Sequence, residues 1–129
     1  MQTKVRLLSD LKFNLETWRR ELRFHFDEMD TFQEKLEEIA AHEFGKDARK
    51  NLEMFQNRIM IEKAAIAKLK HRCKEKLREL NAAHYNDAPV DGELRSRQTE
   101  LKGDMRTYIK LHYDLKEEMM DFFAEYLDE

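Results

Sequence analysis

Apolar residues recur at alternating steps of three and four, without a break, from Leu8 to Glu43. Leu8, Leu11, Leu15, Trp18, Leu22, His25, Met29, Phe32, Leu36, Ile39 and Glu43 make one seam with the 3.5-residue period of a coiled-coil or bundle helix. A strand would alternate every second residue, so the stretch reads as a long helix with one buried stripe. One position of that stripe is a histidine. What His25 means depends on the neighbours that the rest of the chain supplies.

Two further seams follow. One carries Leu52, Phe55, Ile59, Glu62, Ile66, Leu69, Cys73, Leu77 and Leu80, the other Leu94, Leu101, Met105, Tyr108, His112, Leu115, Met119, Phe122 and Tyr126. Gly45 suits a helix C-cap, and Asp47 can accept a hydrogen bond from the free amides of the next helix. The turn formers from Asn86 to Gly92, which include Pro89, mark the second break. These signals predict helices over 4–44, 48–84 and 92–127. Short connections force consecutive helices antiparallel, so the expected fold is all-α: an elongated up-down-up bundle of three long helices with coiled-coil-like packing, one domain over 1–129. Gly103 inside the third helix costs about 1 kcal/mol relative to alanine, and the seam is thin between Leu94 and Leu101.

Composition agrees with this reading. Three glycines, one proline and 40% charged residues describe long helices rather than strands and turns. The single cysteine, Cys73, has no partner for an internal disulfide. The first ten residues hold no apolar run long enough for a signal peptide or a membrane span. The expectation is a protein of the reducing cytoplasm. The chain resembles a spectrin-type repeat in its helix count and in a tryptophan, Trp18, on the first helix, and in no other motif; shared bundle geometry carries no function with it.

The net charge of −3 hides an uneven distribution. Residues 46–84 hold 11 basic and 5 acidic residues, whereas both flanking segments are acidic. Antiparallel stacking also gathers basic residues at one end of the rod and acidic ones at the other. Arg19, Arg20, Arg23, Lys68, Lys70, Arg72, Lys74, Lys76 and Arg78 make the basic end the candidate nucleic-acid surface. The plainer alternative is a solvated face of stable helices.

The polar seam members are the candidates for chemistry. Folding the chain at its two breaks places Glu62 level with His112 and close to Met29, with His25 about one turn away near Tyr108; a shift of two or three residues in either turn, about 3–5 Å at 1.5 Å per residue, decides whether the three converge or miss. Two imidazoles and a carboxylate can form part of a shell for zinc or iron. The leading reading of these positions is instead a polar layer that penalises wrong alignments of long helices, with a layer that responds to pH near neutrality as its variant. There is no Glu-x-x-His pair of the di-iron bundles, no glycine-rich phosphate loop, and no calcium-loop spacing in the acidic C-terminal cluster. Cys73 on an apolar seam reads as a packed thiol.

Phe13 and Phe24 are eleven residues apart, about three helical turns, and both point away from the seam. With the off-seam Met60, Ile61 and Phe123 they form the candidate partner-binding set. The leading expectation is a non-enzymatic interaction or scaffold protein without a cofactor, forming a homodimer or docking on a protein partner through an apolar helix face. The alternatives are a metal-binding bundle and a nucleic-acid-associated module. A membrane is not an expected partner.

Overall fold

The computed structural model describes residues 8–42, 45–82 and 92–126. They form three α-helices: α1 (Leu8–Ala40), α2 (Lys46–Ala82) and α3 (Gly92–Tyr126). The expected helix limits at 4, 44, 84 and 127 lie outside the described residues, as do Glu43 and the turn formers from Asn86 to Asp91. At 1.5 Å per residue the helices are about 50–56 Å long.

The first connection departs from the expected capping. α1 ends at Ala40, where Ala41 N donates to Glu37 O (3.1 Å) and His42 N reaches back only three residues to Ile39 O (3.0 Å), tightening the last turn. Gly45 takes φ +98°, and its carbonyl accepts the bond from Arg49 N (3.2 Å) that opens α2. Gly45 therefore stands at the N-cap of α2 rather than closing α1. Asp47 lies inside the first turn of α2, where its charge meets the positive end of the helix dipole.

Cross-helix pairs set the direction of each helix. Asp30 of α1 pairs with Lys63 of α2, while Arg58 and Arg72 of α2 pair with Glu118 (2.8 Å) and Asp104 (2.7 Å) of α3. On α3 the partner numbers fall as those on α2 rise, so α2 and α3 are antiparallel. Between α1 and α3 they rise together: Leu11 meets Gln98, His25 meets Tyr108, and Phe32 meets Phe123. The bundle is up-down-up. Each exposed pair adds at most about 1 kcal/mol, so these pairs report the arrangement more than they hold it.

The apolar seams hold it. All nine predicted α2 seam residues are buried, Glu62 and Cys73 among them, and Ala48 extends the row. α1 buries its seam from Leu11 to Ile39 except Trp18, which packs partly buried against the core. α3 contributes Leu101, Met105, Tyr108, His112, Leu115, Met119 and Phe122, with Tyr126 partly buried. Each fully buried large apolar side chain is worth about 1.5–3 kcal/mol. Where the α3 seam is thin, Gln98 fills the position: it is buried, and its Nε2 donates to Leu11 O (3.1 Å), which satisfies the polar group inside the core.

The three helices are not equidistant. α1 and α2 approach each other along most of their length, and α3 lies over the pair with fewer close approaches to either. This leaves an open furrow along α2 and α3.

Candidate functional site

The three polar seam positions do meet. α1 contributes His25, α2 Glu62 and α3 His112, each buried. The two imidazoles stack with centroids 3.8 Å apart and planes 9° from parallel. His112 Nδ1 faces Glu62 Oε2, and its Nε2 lies 3.2 Å from Glu28 Oε1. The second oxygen of Glu28 accepts from Lys116 Nζ at 2.6 Å. On the other ring, His25 Nδ1 is 2.7 Å from the Tyr108 hydroxyl. Tyr113, half exposed, closes the layer on its outer side, edge-on to both imidazoles at 5.8 and 5.2 Å.

The geometry assigns the protons. A carboxylate oxygen only accepts, so each nitrogen of His112 that faces a carboxylate is placed to donate. His112 and Lys116 thus stand against two acids, Glu28 and Glu62, at the centre of the layer. His25 is different. Burial first, and then the charge of His112 stacked on it, push its pKa down to about 4, against a weaker opposing pull from Glu28. Burial works against ionised Glu28, but its bonds from Lys116 and His112 outweigh that and hold its pKa below the ordinary carboxylate value. Tyr108 has its pKa pushed up, by burial and then by Glu62 and other nearby acids, so the phenol keeps its proton and donates it to His25 Nδ1. Neutral His25 accordingly carries its hydrogen on Nε2.

This arrangement is poorly suited to a metal. Lone pairs of imidazole lie in the ring plane, and metal–nitrogen bonds are about 2.0–2.1 Å long. Two parallel rings 3.8 Å apart direct their nitrogens along separate planes and not at one point. Both nitrogens of His112 are already engaged by carboxylates. Among the described residues no group of three His, Cys, Asp or Glu side chains has metal-holding geometry. Chemically, the cluster is a polar plug that fits only when the three helices stand in this register.

The expected partner-binding residues disperse. Phe13, Phe24, Met60 and Ile61 are exposed, at 61–70%. Phe123 is buried, its ring edge-on to Phe32 at 5.5 Å, because α3 turns this position as well as Phe122 toward α1 and α2. It belongs to the core and not to a docking set. Met60 and Ile61 are consecutive, so their side chains leave α2 about 100° apart. Only Ile61 borders the furrow between α2 and α3.

That furrow is a concave surface with a volume of about 620 Å³. Leu69, Tyr108, Leu115 and the buried Glu62 form its floor, and Ile61 and Leu111 stand exposed along its two lips, at 70% and 59%. Ala65, small where a bulky residue would close the gap, keeps it open. Arg58–Glu118 and Arg72–Asp104 bracket its ends. Leu111 escapes the seam pattern because it lies one position off the α3 stripe. Met54, Tyr113 and Met120 are further exposed apolar or aromatic residues that the seam pattern does not single out.

The basic residues do not form one patch. Arg72 is paired with Asp104, Arg78 with Glu75, and Lys76 lies by Glu79. Lys68 lines the α2–α3 furrow, whereas Arg19, Lys70 and Lys74 border a separate depression between α1 and α2, beside Phe26. Arg20 and Arg23 are exposed on α1. Cys73 is buried, and burial pushes its thiol up to about 11, above the pull of Arg19 and Arg72. It is a packed, unreactive thiol.

No described helix is long and apolar enough to cross a membrane. Comparison with protein-family models, with curated proteins and with solved structures gives no match.

Proposed function

We propose that the chain is a non-enzymatic helical interaction protein, a three-helix rod that receives an apolar helical surface in the furrow between α2 and α3. The observation that supports this best is the placing of Ile61 and Leu111, two large apolar side chains held in water on either side of a floor that is apolar apart from Glu62. Isolated exposed hydrophobes are ordinary, but two that flank a largely apolar concave surface match the way amphipathic helices are received in grooves. The buried histidine layer serves this role by fixing helix register, and hence the shape of the furrow. No cofactor enters this reading. The unpaired, buried Cys73 suits the reducing cytoplasm.

Co-purification from the native cell tests the proposal, with wild-type protein and Leu111→Asp compared side by side. A bound protein, either another species or more of the same chain, is expected with wild type and is lost with Leu111→Asp while the helical circular dichroism stays unchanged. Equal recovery with both would remove the furrow from the interaction.

A further inference from the structure

We propose that the occupant of the α2–α3 furrow is a second copy of this chain, related by a two-fold axis that runs parallel to the rods. This rests on reading the furrow as a docking surface and adds the identity and orientation of what docks.

The argument comes from a symmetry in the furrow itself. Arg58 is level with Glu118, and Arg72 with Asp104. Ala65 is midway between the two arginines, and Leu111 midway between the two acids, so Ala65 and Leu111 share one height. Each end of the furrow therefore presents a base on α2 and an acid on α3, and the middle presents a small residue on α2 and a large one on α3.

A two-fold axis along the rod lays α2 of one copy over α3 of the other at equal height, and an isologous interface makes each such contact twice. Leu111 then fills the gap over the partner's Ala65. Arg58 meets the partner's Glu118, and Arg72 the partner's Asp104, closing a ring of four alternating charges at each end. The carboxylates have room for a second cation, since Glu118 and Asp104 are 53% and 55% exposed. All four central helices have antiparallel neighbours, the geometry of a four-helix bundle.

The other face-to-face choice, an axis across the rods, fails on both counts. It sets Leu111 on the partner's Leu111 and Arg58 on the partner's Arg72, large on large and like charge on like. That choice has one advantage, since it opposes the basic and acidic ends of the rods. The charges at those ends are exposed to solvent and screened by salt, so the contacts inside the furrow count for more. The furrow runs about 21 Å from Arg58 to Arg72 at 1.5 Å per residue. That places the interface at the small end of specific ones, and the dimer is expected to be reversible.

Sedimentation equilibrium between about 1 µM and 1 mM, a span suited to a small interface, reads the association. The expected mass rises from the 15.7 kDa monomer toward twice that value, and Leu111→Asp remains monomeric with unchanged helicity. Cross-linking with a short bismaleimide reads the orientation. A mixture of Ala65→Cys and Leu111→Cys chains is expected to link across species, and Leu111→Cys alone not to link. Buried Cys73 stays silent at neutral pH. A wild-type monomer throughout, or Leu111→Cys linking to itself in preference to Ala65→Cys, overturns the proposal. If the wild type is monomeric but still retains a different protein that Leu111→Asp loses, the furrow reading stands and the second copy falls; if neither occurs, both fall.

Discussion

His25 and His112 lie face to face, 3.8 Å apart and nearly parallel, yet their ring nitrogens meet different partners. Two buried imidazoliums in contact would repel each other with little water to screen them. The carboxylates sit on the edges of His112 and the phenol of Tyr108 on that of His25, so the two rings differ in their surroundings. One layer thus holds a histidine faced by two acids and a histidine kept neutral by burial.

The neutral one makes the fold sensitive to acid. His25 titrates at about 4 in the folded chain against an ordinary 6.5, so between those values the unfolded chain binds more protons. Its contribution is complete above about pH 6.5 and is lost as pH falls toward 4, up to roughly 3 kcal/mol. Glu28, held below its ordinary value, adds a loss of the same sign at lower pH. Urea unfolding from pH 4 to 8 should show stability falling on the acid side, with the slope between 4 and 6.5 reduced in His25→Leu. An unchanged slope in that variant would assign the acid sensitivity to other groups.

Glu62 should behave as half of a pair and not as an independent stabiliser. Glu62→Ala leaves His112 with one carboxylate in a buried site and should cost about 3–5 kcal/mol. Replacing His25, Glu62 and His112 together with leucine removes the charge as well as its partner. That triple variant should be at least as stable as wild type, while its amide NMR spectrum shows more than one species as alternative registers become populated. A single sharp set of resonances would mean that the seams alone fix alignment.

Gly103 offers a gain. A Cβ built there meets nothing within 4 Å, so Gly103→Ala should add up to about 1 kcal/mol, read as a rise in the urea midpoint.

Gly45 offers the reverse. It also has open space around it, but at φ +98° a Cβ is strained against its own backbone. Gly45→Ala should destabilise by about 1–2 kcal/mol, and an unchanged melting curve would show that the turn relaxes to another conformation.

Periodicity made the bundle readable because each seam repeats over about nine or ten turns and tolerates errors at its ends. The polar positions were readable for the same reason, since His25, Glu62 and His112 interrupt the three stripes, but their common height was not, because it depends on the lengths of two turns that periodicity leaves open. The rest depended on detail that periodicity does not carry. Glu28 and Lys116, which complete the layer, sit on helix flanks where any charged residue is ordinary. Phe123 is adjacent to the seam residue Phe122, and a one-residue difference in how α3 is rotated decides whether its ring is core or surface. The furrow escapes notice because its shape comes from the absence of bulk at Ala65 and from the wider spacing of α3, neither of which leaves a stripe. The Gly45 cap is ambiguous since one glycine between two helices can serve either.

The looser seating of α3 gives the histidine layer a mechanical meaning. His112 is the member of the stacked pair that α3 brings, and Glu28 of α1 and Glu62 of α2 both grip its ring nitrogens. If α3 lifts away, the α1–α2 hairpin keeps its close packing but is left with two carboxylates around an empty slot. The layer is therefore a latch, fastening the most weakly held helix at about its midpoint. Detachment of α3 has to begin from its ends and stop at His112, so hydrogen exchange along this helix should be slowest where that ring is seated.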